Sequence, residues 1–337
     1  MARRPIERNG LILVYHRVAE LGCDPFGISV SPWRFAEQLQ VLRRSARVIP
    51  LRRLVRSLRS GSIPRQSVAV TFDDGYADNL EAAKPLLERF DVPATIFIAT
   101  GQLDRAREFW WDELERVFLE PGRLPRILRL ELAGAVRNWA LGAAAEYQED
   151  TARRWRGWKC WERAPTPRHA TFFAVWKAVQ LLSEKHRQDA LDAIAAWSGQ
   201  GLEARPSYRT LCERQLRDLA AGDLIEIGAH TVTHAALCEH PVRVQRAEIR
   251  QSRTRLEEIL GRDVASFAYP YGARSEETVE IVRECGFSYA CSTDPDRVVP
   301  GADHFQLPRV QIEDWDGDEF AKRLRAWFDG GREGYRQ

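Results

Sequence analysis

Two adjacent carboxylates, Asp73 and Asp74, follow a short apolar run at 68–71 and precede Gly75 and Tyr76. Neighbouring carboxylates at a strand end repel each other unless a cation or a proton divides their roles. A metal and a base together make that division: one carboxylate holds the ion and the other stays free to take a proton. The same Asp-Asp-Gly triplet also fits a solvated turn, with Gly75 supplying the bend. A second apolar run, 224–229, ends at His230, and His234 follows four residues later. One helical turn would put both rings on one side. Two imidazoles and one carboxylate hold a divalent ion while leaving positions open for water and substrate. A lone histidine pair at this spacing is a common surface feature. Placed after a strand, and joined to a carboxylate pair after another strand, it points to a shared metal site with His230, His234 and one of the two carboxylates as ligands. Spacing alone does not say which of Asp73 and Asp74 is the ligand. The donor types suit Zn2+, and Co2+ or Ni2+ as well.

Such a site needs elements that bring distant residues together. Seven short apolar runs recur at 11–15, 67–71, 94–99, 224–229, 264–269, 287–291 and 307–312, most with polar residues directly after them. Leu80, Ala83, Leu86, Leu87 and Phe90 share one helical face, and Pro93 stops that helix before the next run. Repeated strand and helix predict a mostly parallel sheet with helices outside it. Seven runs suggest a closed or nearly closed barrel, in which the loops after the strands carry the chemistry. Residues 104–210 interrupt the repeat. They show little strand character, are rich in Ala, Arg, Glu and Trp, and have helix-like stretches at 112–119, 128–146, 170–182 and 187–197. The expected organisation is a barrel from 8–103 and 211–330, with a helical insertion subdomain at 104–210 between the third and fourth strands.

The pair of motifs TFDDGY and HTVTH resembles the polysaccharide deacetylase family (NodB homology, carbohydrate esterase 4). The resemblance covers roughly 8–103 and 211–315. It implies an α/β fold, a distorted seven-stranded (β/α) barrel, and metal-dependent removal of an N-acetyl group from an amino sugar or glycan. It also implies Asp73 as general base, Asp74, His230 and His234 as metal ligands, and Phe72 as part of the frame around the carboxylates. The family's third motif stands here as Ala268-Tyr269-Pro270-Tyr271-Gly272. Pro270 and Tyr271 keep the groove wall and a backbone donor for the oxyanion, whereas Ala268 lacks the family's arginine. Arg309 on the last strand is the candidate to approach Asp73 instead. The Asp-Trp motif is not evident at its expected strand, where 291–297 offers Asp294 and Asp296 without Trp; the late histidine after a Leu on the last strand is missing, and His304 precedes that strand. The opening Tyr15-His16 pair is similar to the branch acting on poly-N-acetylglucosamine-like glycans. If the barrel nearly closes, His16 would reach the place of the missing histidine and serve as general acid.

The composition is that of a globular protein, with 44% hydrophobic and 29% charged residues. Fifty Lys and Arg against 48 Asp and Glu leave a formal charge of +2, which gives no general pull toward nucleic acid. Residues 34–65 nevertheless carry nine Arg and one acid, Glu37. That run is either a solvated helix face or a surface for anionic lipid or a phosphorylated carrier. Residues 153–165 mix Trp155, Trp158 and Trp161 with basic side chains, which suits sugar stacking, a membrane surface or ordinary subdomain packing. Six cysteines without a CxxC pair suggest free thiols in a reducing compartment. The basic start with a five-residue apolar run is too short for a signal peptide, so the expectation is a cytoplasmic protein, peripheral at most to the inner face of a membrane. The expected partner is a carbohydrate or glycolipid, within exopolysaccharide or capsule biosynthesis. Two rival functions remain: deacylation of a lipid-linked or nucleotide-linked sugar or another small amide or ester, and a catalytically inactive carbohydrate-binding protein.

Overall fold

The computed structural model describes residues 9–331; the basic start at 1–8, and with it the first residue of the expected barrel segment, lies outside the described residues. Seven parallel strands form the main sheet: β1 (Gly10–Tyr15), β2 (Ser67–Phe72), β3 (Ala94–Ile98), β4 (Ile225–Ala229), β5 (Ser266–Ala268), β6 (Tyr289–Cys291) and β7 (Val310–Gln311). Their spatial order is β6-β5-β4-β3-β2-β1-β7, and a two-residue strand, Arg47–Val48, pairs beside β2. The sheet curls into a distorted barrel. The residues before β7 bond to the far edge, with Leu307 N–H donating to the Ala290 carbonyl at 3.0 Å and Ser292 N–H to the Leu307 carbonyl at 2.8 Å.

Strand side chains alternate between two cores, as a two-residue period requires. Leu11, Leu13, Tyr15, Val68, Val70, Phe72, Ile96 and Ile98 face outward against the surrounding helices. Ile12, Ala69, Phe97, Ala268, Cys291 and Leu307 fill the barrel interior. Because both faces are covered, β1 and β2 are buried at every residue, which is why their sequences read as continuous apolar runs rather than alternating ones. Gly228 is demanded by this interior: a Cβ there would lie 2.4 Å from the Phe97 ring.

The described residues divide into two compact units, one made of 9–20, 28–104 and 211–331, the other of Leu21–Gly27 and Arg105–Thr210. The segment Leu21–Gly27, which the sequence places with the barrel, joins the second unit, where Lys159 Nζ pairs with Asp24 at 3.1 Å and Cys160 N–H donates to the Pro25 carbonyl at 2.9 Å. The second unit contains the helices Trp110–Leu119, Pro167–Gln180 and Glu184–Ser198. It is not helical throughout. Residues 128–146, expected as helix, include most of an antiparallel hairpin, Ile127–Leu132 with Ala135–Ala140. Leu128, Leu130 and Leu132 are buried while Ile127, Arg129 and Glu131 are exposed, so period-two burial prevailed over helix-forming composition. The tryptophans of 153–165 divide: Trp158 is buried against His169 and Phe172, whereas Trp155 and Trp161 are exposed. Among the described residues no helix is long and apolar enough to cross a membrane.

Candidate metal centre

The carboxyl ends of the strands deliver the chemistry. His16 follows β1, Asp73 and Asp74 follow β2, and His230 follows β4. The alternation that sends Ala69 inward sends Thr71 and Asp73 the same way, and on β4 it sends Gly228 and His230 inward. One ligand atom from each of Asp74, His230 and His234 lies within 4.8 Å of the others. His234 Nε2 stands 3.2 Å from Asp74 Oδ1, and His230 Nε2 stands 3.6 Å from the same oxygen. That oxygen is buried and accepts no hydrogen bond from the described residues, a costly state for a carboxylate that a cation would relieve. His230 Nδ1 lies 2.8 Å from the Ala268 carbonyl. A proton on Nδ1 leaves the Nε2 lone pair aimed at Asp74, the tautomer a metal ligand needs. Burial pulls the His230 imidazole down to about 4, which keeps it neutral and able to ligate near pH 7. The donor set therefore fits a divalent cation.

Asp73 is held differently. Arg309, fully buried on the approach to β7, grips both of its oxygens, Nη1 to Oδ1 and Nη2 to Oδ2, each at 2.7 Å. The guanidinium is itself fixed by donating from Nε to the Ser292 carbonyl at 2.8 Å. Burial works to raise the Asp73 carboxyl, but the charge and hydrogen bonds of Arg309, with His230 nearby, override it and hold the group well below the usual carboxylate range. Asp74 is raised by burial even though His16, His230 and Arg17 oppose the shift. Ala268 carries no guanidinium, and the one that reaches Asp73 comes from the residue just before the last strand.

His16 shares this electrostatic environment. Burial pulls its imidazole down, while Asp74 and Asp73 act in the opposite sense. Its Nδ1 is buried and, among the described residues, has no hydrogen-bond partner, and its carbonyl accepts from Asn79 Nδ2 at 2.9 Å. Asn79 begins a wide helical turn, Asn79–Ala83, a distortion often found beside functional sites. The Tyr271 ring meets His234 edge-on, with centroids 4.6 Å apart, and Pro270 is buried at the start of the turn Pro270–Gly272. Four non-glycine residues at the centre have left-handed backbones: Asp74 (φ 79°), Thr231 (φ 63°), His234 (φ 56°) and Tyr271 (φ 58°). Each such residue costs about 1–3 kcal/mol, and clusters of this kind mark sites whose geometry is imposed by their surroundings.

Two expected site residues are not brought to the centre. Phe72 points outward and stacks on Tyr15 at 5.3 Å, so it frames the carboxylates only from the core behind the strand. Tyr269 also faces the outer core, its hydroxyl donating to the Phe305 carbonyl at 3.0 Å. Both are one residue out of phase with the inward set. Conversely, Glu248 carries no motif and yet organises the site. Its Oε2 accepts from the N–H groups of Val232 and Thr233 at 2.8 Å, and its Oε1 accepts from Thr233 Oγ1 at 2.9 Å. One carboxylate thus pins the loop that sets His234. The available signal was an acid on an amphipathic helix, Val242–Leu260, on the side that packs toward the barrel.

Comparisons with known proteins agree with this geometry. The family model described as polysaccharide deacetylase matches residues 60–122 and 168–290, together more than half of the chain. The chain is 30% identical over 110 residues to a poly-beta-1,6-N-acetyl-D-glucosamine N-deacetylase of Staphylococcus aureus, covering 29% of this chain and 38% of that protein. It is 28% identical over 112 residues to the protein of the same name from Staphylococcus epidermidis, with the same coverage. The match thus spans well under half the length of these curated relatives. Among solved structures, the Streptococcus pyogenes deacetylase PplD in complex with acetate aligns over 94% of this chain and 99% of that one, at 16% identity and a TM-score of 0.59. IcaB from Ammonifex degensii aligns over 95% and 97%, at 19% identity and a TM-score of 0.58. These two likenesses establish the fold, and the family match adds the motifs. With its barrel, its buried Asp-His-His cluster and its matched segments, the chain belongs to the polysaccharide deacetylase family.

Proposed function

We propose that the protein is a metal-dependent hydrolase that removes the N-acetyl group from an amino sugar in a poly-N-acetylglucosamine-like glycan. The observation that carries this reading is the convergence of Asp74, His230 and His234 beside an Asp73 held ionised by Arg309. Asp74, His230 and His234 hold a divalent cation, Zn2+ by donor type with Co2+ or Ni2+ also suited. When bound, the cation supplies Lewis acidity to the amide carbonyl and to the attacking water. Asp73 takes the proton from that water. A backbone donor at Tyr271 helps hold the charge developing on the carbonyl oxygen. His16 delivers a proton to the leaving nitrogen, because an amine anion does not depart unassisted at neutral pH. Acetate and a free amino sugar result. The names of the Staphylococcus relatives support the glycan as substrate, and the retained set of four metal and base residues argues against a merely carbohydrate-binding role.

Metal analysis with product identification on N-acetylated sugars tests this. The purified protein is expected to hold about one divalent ion per chain. Asp74→Ala and His234→Ala lose both ion and turnover, whereas Asp73→Asn keeps the ion and loses turnover by roughly three orders of magnitude or more. An Asp73→Asn variant within about tenfold of the parent kcat would remove Asp73 as the base.

A further inference from the structure

The helix Leu51–Arg59 closes the end of the barrel opposite Asp73 and Asp74. Leu51, Leu54, Val55 and Leu58 are buried with the interior residues Ile12, Ala69 and Phe97. A Cβ on Gly10, the first residue of β1, would lie 2.8 Å from Leu54 Cδ1. Arg52 pairs with Glu226 at 3.4 Å, and Arg59 donates to the Ser288 carbonyl at 2.5 Å, which fixes the helix under the starts of β4 and β6. Its outer side carries Arg53 and Arg56, both exposed and, among the described residues, without a side-chain hydrogen bond or ion pair. Arg47 and Arg65, beside the start of β2, are in the same state. Residues 38–71 contain eight arginines and neither an acidic nor an aromatic residue, in a chain whose formal charge is only +2. Of the carboxylates at this end, Asp91 is matched by Arg43 at 3.6 Å, Glu226 by Arg52 at 3.4 Å and Asp303 by Arg283 at 2.9 Å, while Asp223, Asp263 and Asp329 stand in the turns near the strand starts.

We propose that this arginine-covered end of the barrel is a docking surface for the anionic phospholipid headgroups of a bilayer. Guanidinium groups bind phosphate oxygens in a bidentate manner, and each unpaired one near a negatively charged surface strengthens attachment several-fold. With no aromatic side chain in the segment, nothing anchors in the acyl region and there is no platform for the stacked bases of single-stranded nucleic acid. The contact is electrostatic and depends on lipid charge and salt. Docking would aim the metal centre away from the bilayer, because the six residues of β1 separate the two ends by about 20 Å. If the deacetylase reading holds, the site then faces glycan in the aqueous phase rather than a sugar held at headgroup level.

Sedimentation of the full chain with vesicles tests the surface without relying on the reaction. The expected result is binding to equimolar phosphatidylglycerol and phosphatidylcholine at about 0.05 M salt, loss of binding at about 0.5 M salt, and none to phosphatidylcholine alone. Arg53→Glu with Arg56→Glu is expected to weaken partitioning by at least about 20-fold. Arg243→Glu with Arg250→Glu makes the same change of charge on exposed positions of the helix Val242–Leu260 and should leave partitioning within about twofold. Both double variants should keep the circular dichroism spectrum of the parent and its turnover of a soluble chromogenic acetate. Absence of binding at low salt, or equal losses in the two double variants, would overturn the proposal. So would tighter binding to a duplex oligonucleotide that is lost in the Arg53/Arg56 variant, which would assign the face to nucleic acid. Failure of turnover in every preparation would count against the deacetylase reading and leave the sedimentation result intact.

Discussion

At the scale of single residues, the centre separates two adjacent carboxylates by giving them different partners. Asp73 has Arg309 on both oxygens, whereas Asp74 has two imidazoles and a buried oxygen that accepts no hydrogen bond from the described residues. Removing the arginine should expose the burial effect that it overrides. In Arg309→Met the Asp73 carboxyl rises, so the ionised base is lost at a higher pH as the solution is acidified. The acid limb of kcat/KM is expected to move upward by at least about one pH unit, and a pH-rate profile reads it directly. An unmoved limb would mean that Arg309 does not control the ionisation of Asp73. His16 is tested through the leaving group. An amide nitrogen must be protonated as it departs, whereas the phenolate of an activated ester leaves without help. His16→Ala should therefore lower kcat on an N-acetyl sugar by about 100-fold or more while changing turnover of a chromogenic acetate ester by less than about tenfold. Equal losses on both substrates would assign His16 to structure instead of proton transfer.

At the scale of elements, strand parity and loop anchoring decide which side chains meet. Residues 12, 69, 97, 268 and 307 line the interior, and continuing the same two-residue step leads to His16, Asp73 and Arg309. Phe72 and Tyr269 fall on the other phase and pack in the outer core. Loops then set the remaining positions. The turn holding His234 contains two left-handed non-glycine residues, Thr231 and His234. It is kept by Glu248 and by Gly101 N–H, which donates to the Val232 carbonyl at 2.8 Å. Glu248→Ala leaves two backbone donors and one hydroxyl without their acceptor, and the turn loses its clamp. Metal affinity, measured by titration of the apoprotein, is expected to fall by about 10–100-fold with the ligands themselves unchanged. An unchanged affinity would show that the rest of the loop suffices to place His234.

At the scale of the whole molecule, the barrel is polar from end to end. One end gathers a cation site from residues far apart in the chain, and the other is plugged by a helix that buries four apolar side chains and exposes arginines. Much of this was legible in the sequence. The seven apolar runs, the carboxylate pair and the histidine pair are local features, written in consecutive residues because buried parallel strands need continuous apolar side chains and ligands sit directly after strand ends. They sufficed for the fold class and for the Asp-His-His cluster, and they carry the proposed reaction class. Three matters were settled only in three dimensions. The guanidinium that meets Asp73 comes from 236 residues away, since curling of the sheet brings the approach to β7 beside β2. Glu248 acts on the metal loop through backbone N–H groups, which leave no trace in side-chain patterns. The hairpin within 128–146 took its form from burial of alternate leucines that composition alone ranks as helix formers. Chemistry carried by adjacent residues can be read along a chain, whereas the contacts that tune it depend on which distant surfaces the folded barrel presses together.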